Sequence, residues 1–257
     1  LDERPSATSI VIIVHGMASS AEESYVVRAT QAAKAAGFSS LRLNLRGAPR
    51  DGEDIYNAGL VEDLHAAVQS PEVQGYQDIH VLGFSLGGHL VLRYALEPDA
   101  KVRSAVSLCA PLDLDRSCRH IDGLGQMAYR WHLLRGLRAC AGALHQRRGL
   151  HLSLGEIATI RSIREWDEKV VAPHFGFRGA SDYYAQTSVG PRVGELALPT
   201  LLVFGDKDPM VAARDLAPSL AQLNERTTLR WSRGGHVHFA DSARVLADTM
   251  SWIRAHS

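Results

Sequence analysis

The chain has 257 residues, of which 46% are hydrophobic and 22% charged, and its 28 basic residues balance 28 acidic ones. This length and composition predict a globular protein with one large core. The zero net charge gives no indication of a nucleic-acid partner. Cys109, Cys118 and Cys140 show no CxxC spacing, which argues against a disulfide framework and a structural zinc site.

The chain contains no apolar run that approaches the length of a transmembrane helix. Its first nine residues, LDERPSATS, are polar and do not resemble a signal peptide. We therefore expect a cytoplasmic protein that does not insert stably into membranes. These patterns do not define an oligomeric state.

Short apolar, β-branched runs alternate with helical patterns through the first part of the chain. Strands are predicted at 9–16, 40–47, 78–83 and 102–111, and helices at 23–37, 57–70 and 87–98. This alternation predicts a parallel sheet with helices on both faces. In such sheets the chemistry gathers at the carboxyl ends of the strands.

The alternation stops after residue 111. Residues 112–195 contain helix-like pieces and no convincing strand, and strand patterns return at 198–209 and 227–239. We therefore expect an α/β core formed by residues 1–111 and 196–257. The segment 112–195 is predicted to be a helical insertion that lies over the carboxyl edge of the sheet as a lid.

The segment GFSLG at 83–87 fits the pattern G-x-S-x-G and stands between a predicted strand and a predicted helix. So sharp a turn admits only small residues two positions before and after the serine, which accounts for Gly83 and Gly87. It also places the Ser85 hydroxyl at a helix N-terminus, where negative charge is stabilised. Glycine-rich turns of this kind also bind phosphates, but the context favours Ser85 as a nucleophile.

A serine nucleophile needs a histidine base and a carboxylate that orients it, here expected in the order Ser, Asp, His. Asp208 is favoured over Asp206 because it lies further out in its loop, whereas Asp206 is suited to bonding the turn backbone. His236 is favoured over His238 because two glycines precede it. An H-x-H pair also binds metals, but no third ligand stands at a familiar spacing.

The oxyanion of the reaction needs two N–H donors. One is expected from Leu86, directly after the nucleophile, and the other from the loop HGM at 15–17, through the backbone of Met17. His15 itself is expected to pack or hydrogen-bond rather than act as a base. This chemistry requires no cofactor and no metal.

The predicted helix 123–149 carries apolar residues near helical spacing with arginines between them. We interpret it as a lid helix, with Trp131, Leu133 and Leu134 lining an acyl pocket, although such a helix could also lie on a membrane surface. GLGQMA at 123–128 matches a dinucleotide-binding pattern, but it follows no credible strand.

The motifs HGMASSAEESYVVRA, LNLRGAPRDGEDIYNAGLVEDL, GFSLGGHLVLRYA, IRSIREWDEKVVAPHFGFRGASDYYAQTS, DKDPMV and GGHVHF together resemble the YheT-like branch of the α/β-hydrolases. That branch includes bacterial esterases, plant embryogenesis-associated proteins and mammalian lipid esterases. The resemblance covers nearly the whole chain. One departure is His89, which stands where the family commonly has asparagine; another is that the family usually has further strands before the first one here.

The resemblance implies an α/β-hydrolase fold with the triad Ser85, Asp208 and His236, and Met17 and Leu86 as oxyanion donors. It further implies hydrolysis of small carboxylic esters with short to medium acyl chains. A thioesterase, or a lipase or phospholipase, would use the same residues. A binding module that has kept the hydrolase fold without catalysis is the alternative from another class.

Overall fold

The computed structural model describes residues 1–4, 6–48 and 54–257. Six parallel strands form a single sheet in the order β2-β1-β3-β4-β5-β6. The predicted parallel sheet is thereby confirmed. The strands are β1 Ser9–Val14, β2 Ser39–Leu43, β3 Asp78–Phe84, β4 Val102–Leu108, β5 Thr200–Gly205 and β6 Thr227–Ser232.

Helices connect the strands and cover both faces of the sheet. They are α1 Ser24–Ala35, α2 Glu62–Gln69, α3 Pro71–Gln74, α4 Leu86–Tyr94, α5 Leu114–Ile121, α6 Met127–Arg148, α7 Leu154–Thr159, α8 Ile163–Trp166, α9 Ala172–Phe175, α10 Ala180–Thr187, α11 Ala213–Leu220 and α12 Ser242–Arg254. Two 3₁₀ turns, Leu124–Gln126 and Gly190–Glu195, and a π-helical segment, Asp167–Val171, complete the helical structure of the described residues. None of these helices is long and apolar enough to cross a membrane.

The central strands are apolar along their whole length because both faces are covered. All six residues of β1 are buried, and they alternate between two cores. Ile10, Ile12 and Val14 pack in one core, with α4 and the helices between β4 and β5, whereas Val11 and Ile13 pack in the other, with α1 and α12.

Residues 112–195, between β4 and β5, contain α5 to α10 and no strand. Their buried side chains, including Leu137, Ile163 and Val170, belong to the same core as one face of the sheet. The segment therefore packs on the α/β core rather than forming a separate core of its own. Its interpretation as a lid, and the division of the chain at 111 and 195, remain predictions.

Several predicted elements are shorter than expected, among them one helix and one strand next to the site. The helix predicted at 57–70 begins at Glu62, because the preceding residues run as an irregular segment whose Tyr56 hydroxyl bonds the loop after β1. The strand predicted at 227–239 ends at Ser232, since Gly234 has a φ of 136° and turns the chain out of the sheet.

Candidate active site

Ser85 lies on the turn between β3 and α4, at the carboxyl edge of the sheet. Its φ of 53° and ψ of −120° are strained for a residue with a side chain. A Cβ on Gly83 would lie 2.1 Å from the Gly87 oxygen, and one on Gly87 would lie 2.3 Å from the His15 oxygen. Both positions therefore require glycine, because neighbouring backbone atoms leave no room for a Cβ.

His236 and Asp208 reach Ser85 from two other strand ends. His236 follows β6, and its Nε2 lies 2.8 Å from Ser85 Oγ. Its Nδ1 lies 2.8 Å from Oδ2 of Asp208, which follows β5. Because an ionised carboxylate only accepts, Nδ1 carries the proton and donates it to Asp208, which leaves Nε2 to accept from the Ser85 hydroxyl.

Asp208 is held rigidly behind the histidine. Its side chain is 1% exposed, and its Oδ1 accepts hydrogen bonds from the N–H groups of Met210 at 2.8 Å and Val211 at 3.0 Å. These bonds leave Oδ2 to face His236. The structure thus brings Asp208, and not Asp206, next to the imidazole.

The two alternative residues have other contacts. Asp206 Oδ1 accepts from the N–H of Gly234 at 2.9 Å, so this carboxylate fixes the loop that carries His236. His238 is exposed, and its Nδ1 lies 3.1 Å from the backbone oxygen of His236. Neither side chain is brought into contact with Ser85.

Four non-glycine residues among the described ones have positive φ, and each adjoins this site. They are Ala18, Ser85, Cys109 and Val237, with φ between 50° and 56°. Such conformations cost of the order of 1–3 kcal/mol each and persist only where the surroundings impose them. Their grouping around one serine indicates that the fold is strained for the geometry of this site.

The loop after β1 passes directly beside the serine. A Cβ on Gly16 would lie 3.2 Å from Ser85 Cβ. Two tyrosine hydroxyls fix the loop: Tyr25 Oη accepts from the Gly16 N–H at 3.0 Å, and Tyr56 Oη accepts from the Ala18 N–H at 2.5 Å.

One predicted oxyanion donor directly follows Ser85 in the chain, and the other comes from the loop that passes beside it. Leu86 is the first residue of α4, where backbone N–H groups have no acceptor within the helix. Met17 comes from the loop after β1, and both residues line the cavity that contains Ser85 and His236. This placement is the one that an oxyanion site on the serine would need.

His15 is fully buried beneath this loop. Its Nε2 accepts from the Leu45 N–H at 3.2 Å, so its Nδ1 carries the proton and donates to the Gly16 oxygen at 2.7 Å. Burial lowers the pKa of the imidazole, which therefore stays neutral. The expected hydrogen-bonding role of His15 agrees with these contacts.

Ser85 and His236 open into a narrow cavity of about 70 Å³. The strand ends and their loops form its floor, and residues between β4 and β5 form its roof. Leu114 and Ile121 of α5, Leu133 and Leu137 of α6, Ile163 and Trp166 of α8, and Tyr183 and Tyr184 of α10 line this roof. The cavity is thus largely apolar, with its polar groups few and localised.

The structure corrects two of the three predicted pocket residues. Leu133 lines the cavity, but Trp131 is 60% exposed, with the Arg135 guanidinium 5.4 Å from its ring centre. A separation of two residues turns a helical side chain by about 200°, so Trp131 and Leu133 lie on opposite faces of α6. Leu134 is buried in the core beside the cavity and does not line it.

Asp167 and Tyr184 are polar cavity residues that the sequence did not predict. Asp167 lies in the π-helical segment, and the Tyr184 hydroxyl donates to its Oδ2 at 2.6 Å. Both residues stand in the segment WDEKVVAPHFGFRGASDYY, which carries the family resemblance but predicts no chemical role for its side chains. The resemblance marked this segment, but no local pattern in the sequence predicted that these two side chains lie in the cavity of Ser85.

One group of potential metal ligands occurs among the described residues. Cys109 Sγ and ligand atoms of Asp208 and His236 all lie within 4.8 Å of one another. Burial, followed by the charge of Asp208, raises the pKa of the Cys109 thiol to about 12. The thiolate that binds metals is therefore strongly disfavoured, and His236 Nδ1 is already bonded to Asp208.

A family model described as the alpha/beta hydrolase fold matches residues 9–243. The chain belongs to this family. Among curated relatives, this chain is similar to the putative esterase YheT of Escherichia coli. The two are 28% identical over 254 residues, which cover 95% of this chain and 74% of that protein. The embryogenesis-associated protein EMB8 of Picea glauca is 28% identical over 230 residues, covering 83% of this chain and 49% of that one.

These relatives confirm the YheT-like branch within the alpha/beta hydrolases. The chain spans about three quarters of YheT and about half of EMB8. Among solved structures, the esterase Pf2001 of Pyrococcus furiosus superposes with a TM-score of 0.65 over 98% of this chain and 82% of that one, at 15% identity. At this identity the likeness concerns the fold alone.

Proposed function

We propose that this alpha/beta hydrolase cleaves small carboxylic esters by acyl transfer to Ser85. The observation that carries the proposal is the continuous hydrogen-bonded series from Ser85 Oγ through His236 to Asp208, with 2.8 Å at each contact. That arrangement allows a base to take the serine proton while a carboxylate stabilises the imidazolium that forms. The name of the relative YheT, a putative esterase, supports the choice of ester bonds.

In this mechanism the Ser85 oxygen attacks the acyl carbon while its proton passes to His236 Nε2. The carbonyl oxygen gains negative charge and is held by the N–H groups of Met17 and Leu86. Collapse of this intermediate expels the alcohol, which takes the proton from His236. A water molecule, deprotonated by His236, then attacks the acyl-enzyme, and the bond from the acyl carbon to Ser85 Oγ breaks. The carboxylic acid leaves while His236 returns the proton to Ser85.

The narrow, mostly apolar cavity supports acyl chains of short to medium length. The segment 112–195 supplies its roof and in this proposal acts as a lid over the site. Because leaving-group preference depends on pocket shape, a thioester or a phospholipid remains an alternative substrate for the same groups.

The test is hydrolysis of p-nitrophenyl esters from acetate to palmitate by the wild type and by Ser85→Ala. We expect turnover with a maximum at short or medium length, and its loss in the variant. Ser251→Ala, an exposed serine on α12, is the matched control and should keep wild-type turnover. Equal inactivity of wild type and Ser85→Ala across the series would contradict the proposal and favour a binding module.

A fluorophosphonate that labels activated serines provides a second readout. Mass spectrometry should find one adduct, on Ser85, in the wild type and in Ser251→Ala. His236→Gln should prevent labelling because it removes the proposed base, and thermal unfolding checks that the variant is folded. Labelling that persists at full rate in His236→Gln would exclude His236 as the base.

A further inference from the structure

Asp167 is a buried carboxyl group on the wall of the proposed catalytic cavity. It is 7% exposed and lines the same space as Ser85 and His236. The side chains around it in the roof are largely apolar, among them Trp166 and Val171. A carboxyl group in such surroundings is costly unless it is hydrogen-bonded or paired with a cation.

The contacts of Asp167 satisfy only one of its two oxygens. Oδ2 accepts from the Tyr184 hydroxyl at 2.6 Å, and that hydroxyl also lies 3.1 Å from Cys118 Sγ. Oδ1 has no hydrogen-bond partner among the described residues. It is not completely enclosed by protein atoms. We conclude that Oδ1 borders the open part of the cavity.

The charged groups near Asp167 are engaged elsewhere. Arg164 bonds Asp115 at 2.6 Å and Ser181 at 2.6 Å, and in the described part of the chain no cation forms an ion pair with Asp167. Asp122 accepts from the backbone N–H groups of Ile163 and Arg164. The protein therefore leaves one acceptor oxygen unused inside an apolar cavity.

We propose that Asp167 Oδ1 is a substrate-binding group, and that the preferred substrate is an ester with a hydroxyl group remote from its carbonyl, which donates a hydrogen bond to this oxygen. The inference rests on the proposed esterase function of Ser85 and names its substrate class. Tyr184 orients the carboxyl group by holding Oδ2. A substrate that lacks the hydroxyl leaves Oδ1 unpaired in a desolvated site, which disfavours it.

A neutral hydroxyl suits this site better than an ammonium group. Burial raises the pKa of Asp167 to about 7, so the carboxyl group is partly uncharged at neutral pH. A substrate hydroxyl pairs with Oδ1 in either protonation state, because it donates to the ionised oxygen and accepts from the O–H of the neutral acid, whose carbonyl oxygen is the Oδ2 held by Tyr184. A cationic substrate would instead have to lose its hydration to pair with a carboxyl group that is only partly ionised.

The experiment compares kcat/KM for matched esters. On the acyl side the pairs are p-nitrophenyl ω-hydroxyalkanoates and the plain alkanoates of equal length, from four to eight carbons. On the alcohol side the pair is the 2-hydroxyethyl and propyl esters of butyrate. We expect the hydroxylated member to be favoured by roughly ten- to a hundredfold in at least one series, which also shows which side of the ester reaches Asp167.

Variants assign this preference to Asp167. Asp167→Ala should reduce it to less than about threefold. If that variant does not fold, Asp167→Leu combined with Tyr184→Phe removes both polar partners together, a change that is often nearly neutral for stability. Glu168→Gln, an exposed neighbour that bonds the Ala180 N–H, is the control and should keep the preference.

The outcomes separate this inference from the proposed function. Equal rates for all matched pairs, with p-nitrophenyl acetate hydrolysed through Ser85, would overturn the role of Asp167 alone. A stronger preference for ω-amino over ω-hydroxy esters would overturn the choice of a hydroxyl. Failure of p-nitrophenyl acetate hydrolysis to depend on Ser85 would instead overturn the esterase function itself.

Discussion

Replacing Asp208 by asparagine tests the triad, because it changes which ring nitrogen of His236 carries the proton. The N–H groups of Met210 and Val211 both point at Oδ1, so the asparagine oxygen must take that position and its NH₂ group must face His236 Nδ1. Nδ1 then has to accept, and the imidazole proton moves to Nε2. In that tautomer His236 cannot accept the proton of Ser85.

We expect Asp208→Asn to lower kcat by roughly 10⁴, which corresponds to about 5.5 kcal/mol of activation free energy. The thermal midpoint should change little, because both backbone hydrogen bonds to the side-chain oxygen survive. The assay is kcat at saturating p-nitrophenyl butyrate, together with thermal unfolding of each variant.

Asp206→Asn is the matched control, since Asp206 lies two residues away and its oxygen bonds only the Gly234 N–H among the described residues. Its kcat should stay within about threefold of wild type, as expected for a surface substitution that keeps its acceptor. If Asp208→Asn retained more than a tenth of wild-type kcat, the tautomer argument would be refuted. Equal losses in both variants would point to loop distortion.

Three further predictions follow from individual contacts. Gly87→Ala places a Cβ 2.3 Å from a backbone oxygen and should destabilise the fold by about 1–3 kcal/mol or more in thermal unfolding, whereas Gly75→Ala, with nothing within 4 Å, should not. Tyr56→Phe removes the acceptor of the Ala18 N–H and should lower kcat about tenfold with little change in KM, measured by steady-state kinetics. Because the folded-state pKa of Asp167 is raised from 3.8 to about 7, the folded state binds more protons between these values, and stability falls as pH rises through them. Asp167→Asn should therefore gain up to roughly 4 kcal/mol relative to wild type between pH 4 and 8 in pH-dependent unfolding; a constant difference would contradict the raised pKa.

The architecture could be predicted from sequence because its signals are local and repeated. A strand buried on both faces reads as a continuous apolar run, as in SIVIIV at Ser9–Val14, whatever its neighbours are. Element ends were less predictable, since they depend on contacts between distant residues. The segment before Glu62 carries apolar residues that suggest a helix, but Tyr56 and Tyr183 fix it through hydrogen bonds across the cavity.

The candidate site likewise contains residues that the sequence could predict and residues that it could not. Ser85 is marked by two glycines in its own turn, and Asp208 and His236 stand in the loops directly after β5 and β6, where the topology requires them. Asp167 and Trp131 lie in helices whose rotation about their axes is set by tertiary packing. An apolar pattern did not fix that rotation for α6, because only Leu133, Leu134, Leu137, Ala141 and Leu144 among its residues are buried.

The reacting groups and most of the side chains around the substrate come from different parts of the chain, which matters for specificity. The groups proposed to react come from strand ends of the sheet, whereas most of the side chains that would touch the substrate come from residues 112–195. The two parts meet where α6 lies on the loop after β1, so closely that a Cβ on Gly136 would approach Ala18 Cβ to 2.5 Å. Substitutions in the roof can therefore change which ester is bound without moving the reacting atoms, except at contacts with the loops of the site such as this one and that of His120 with the Pro209 oxygen. A larger residue at Gly136 would press on the loop that carries Met17 and so disturb the proposed oxyanion site, whereas replacing Leu133 would alter only the shape of the cavity.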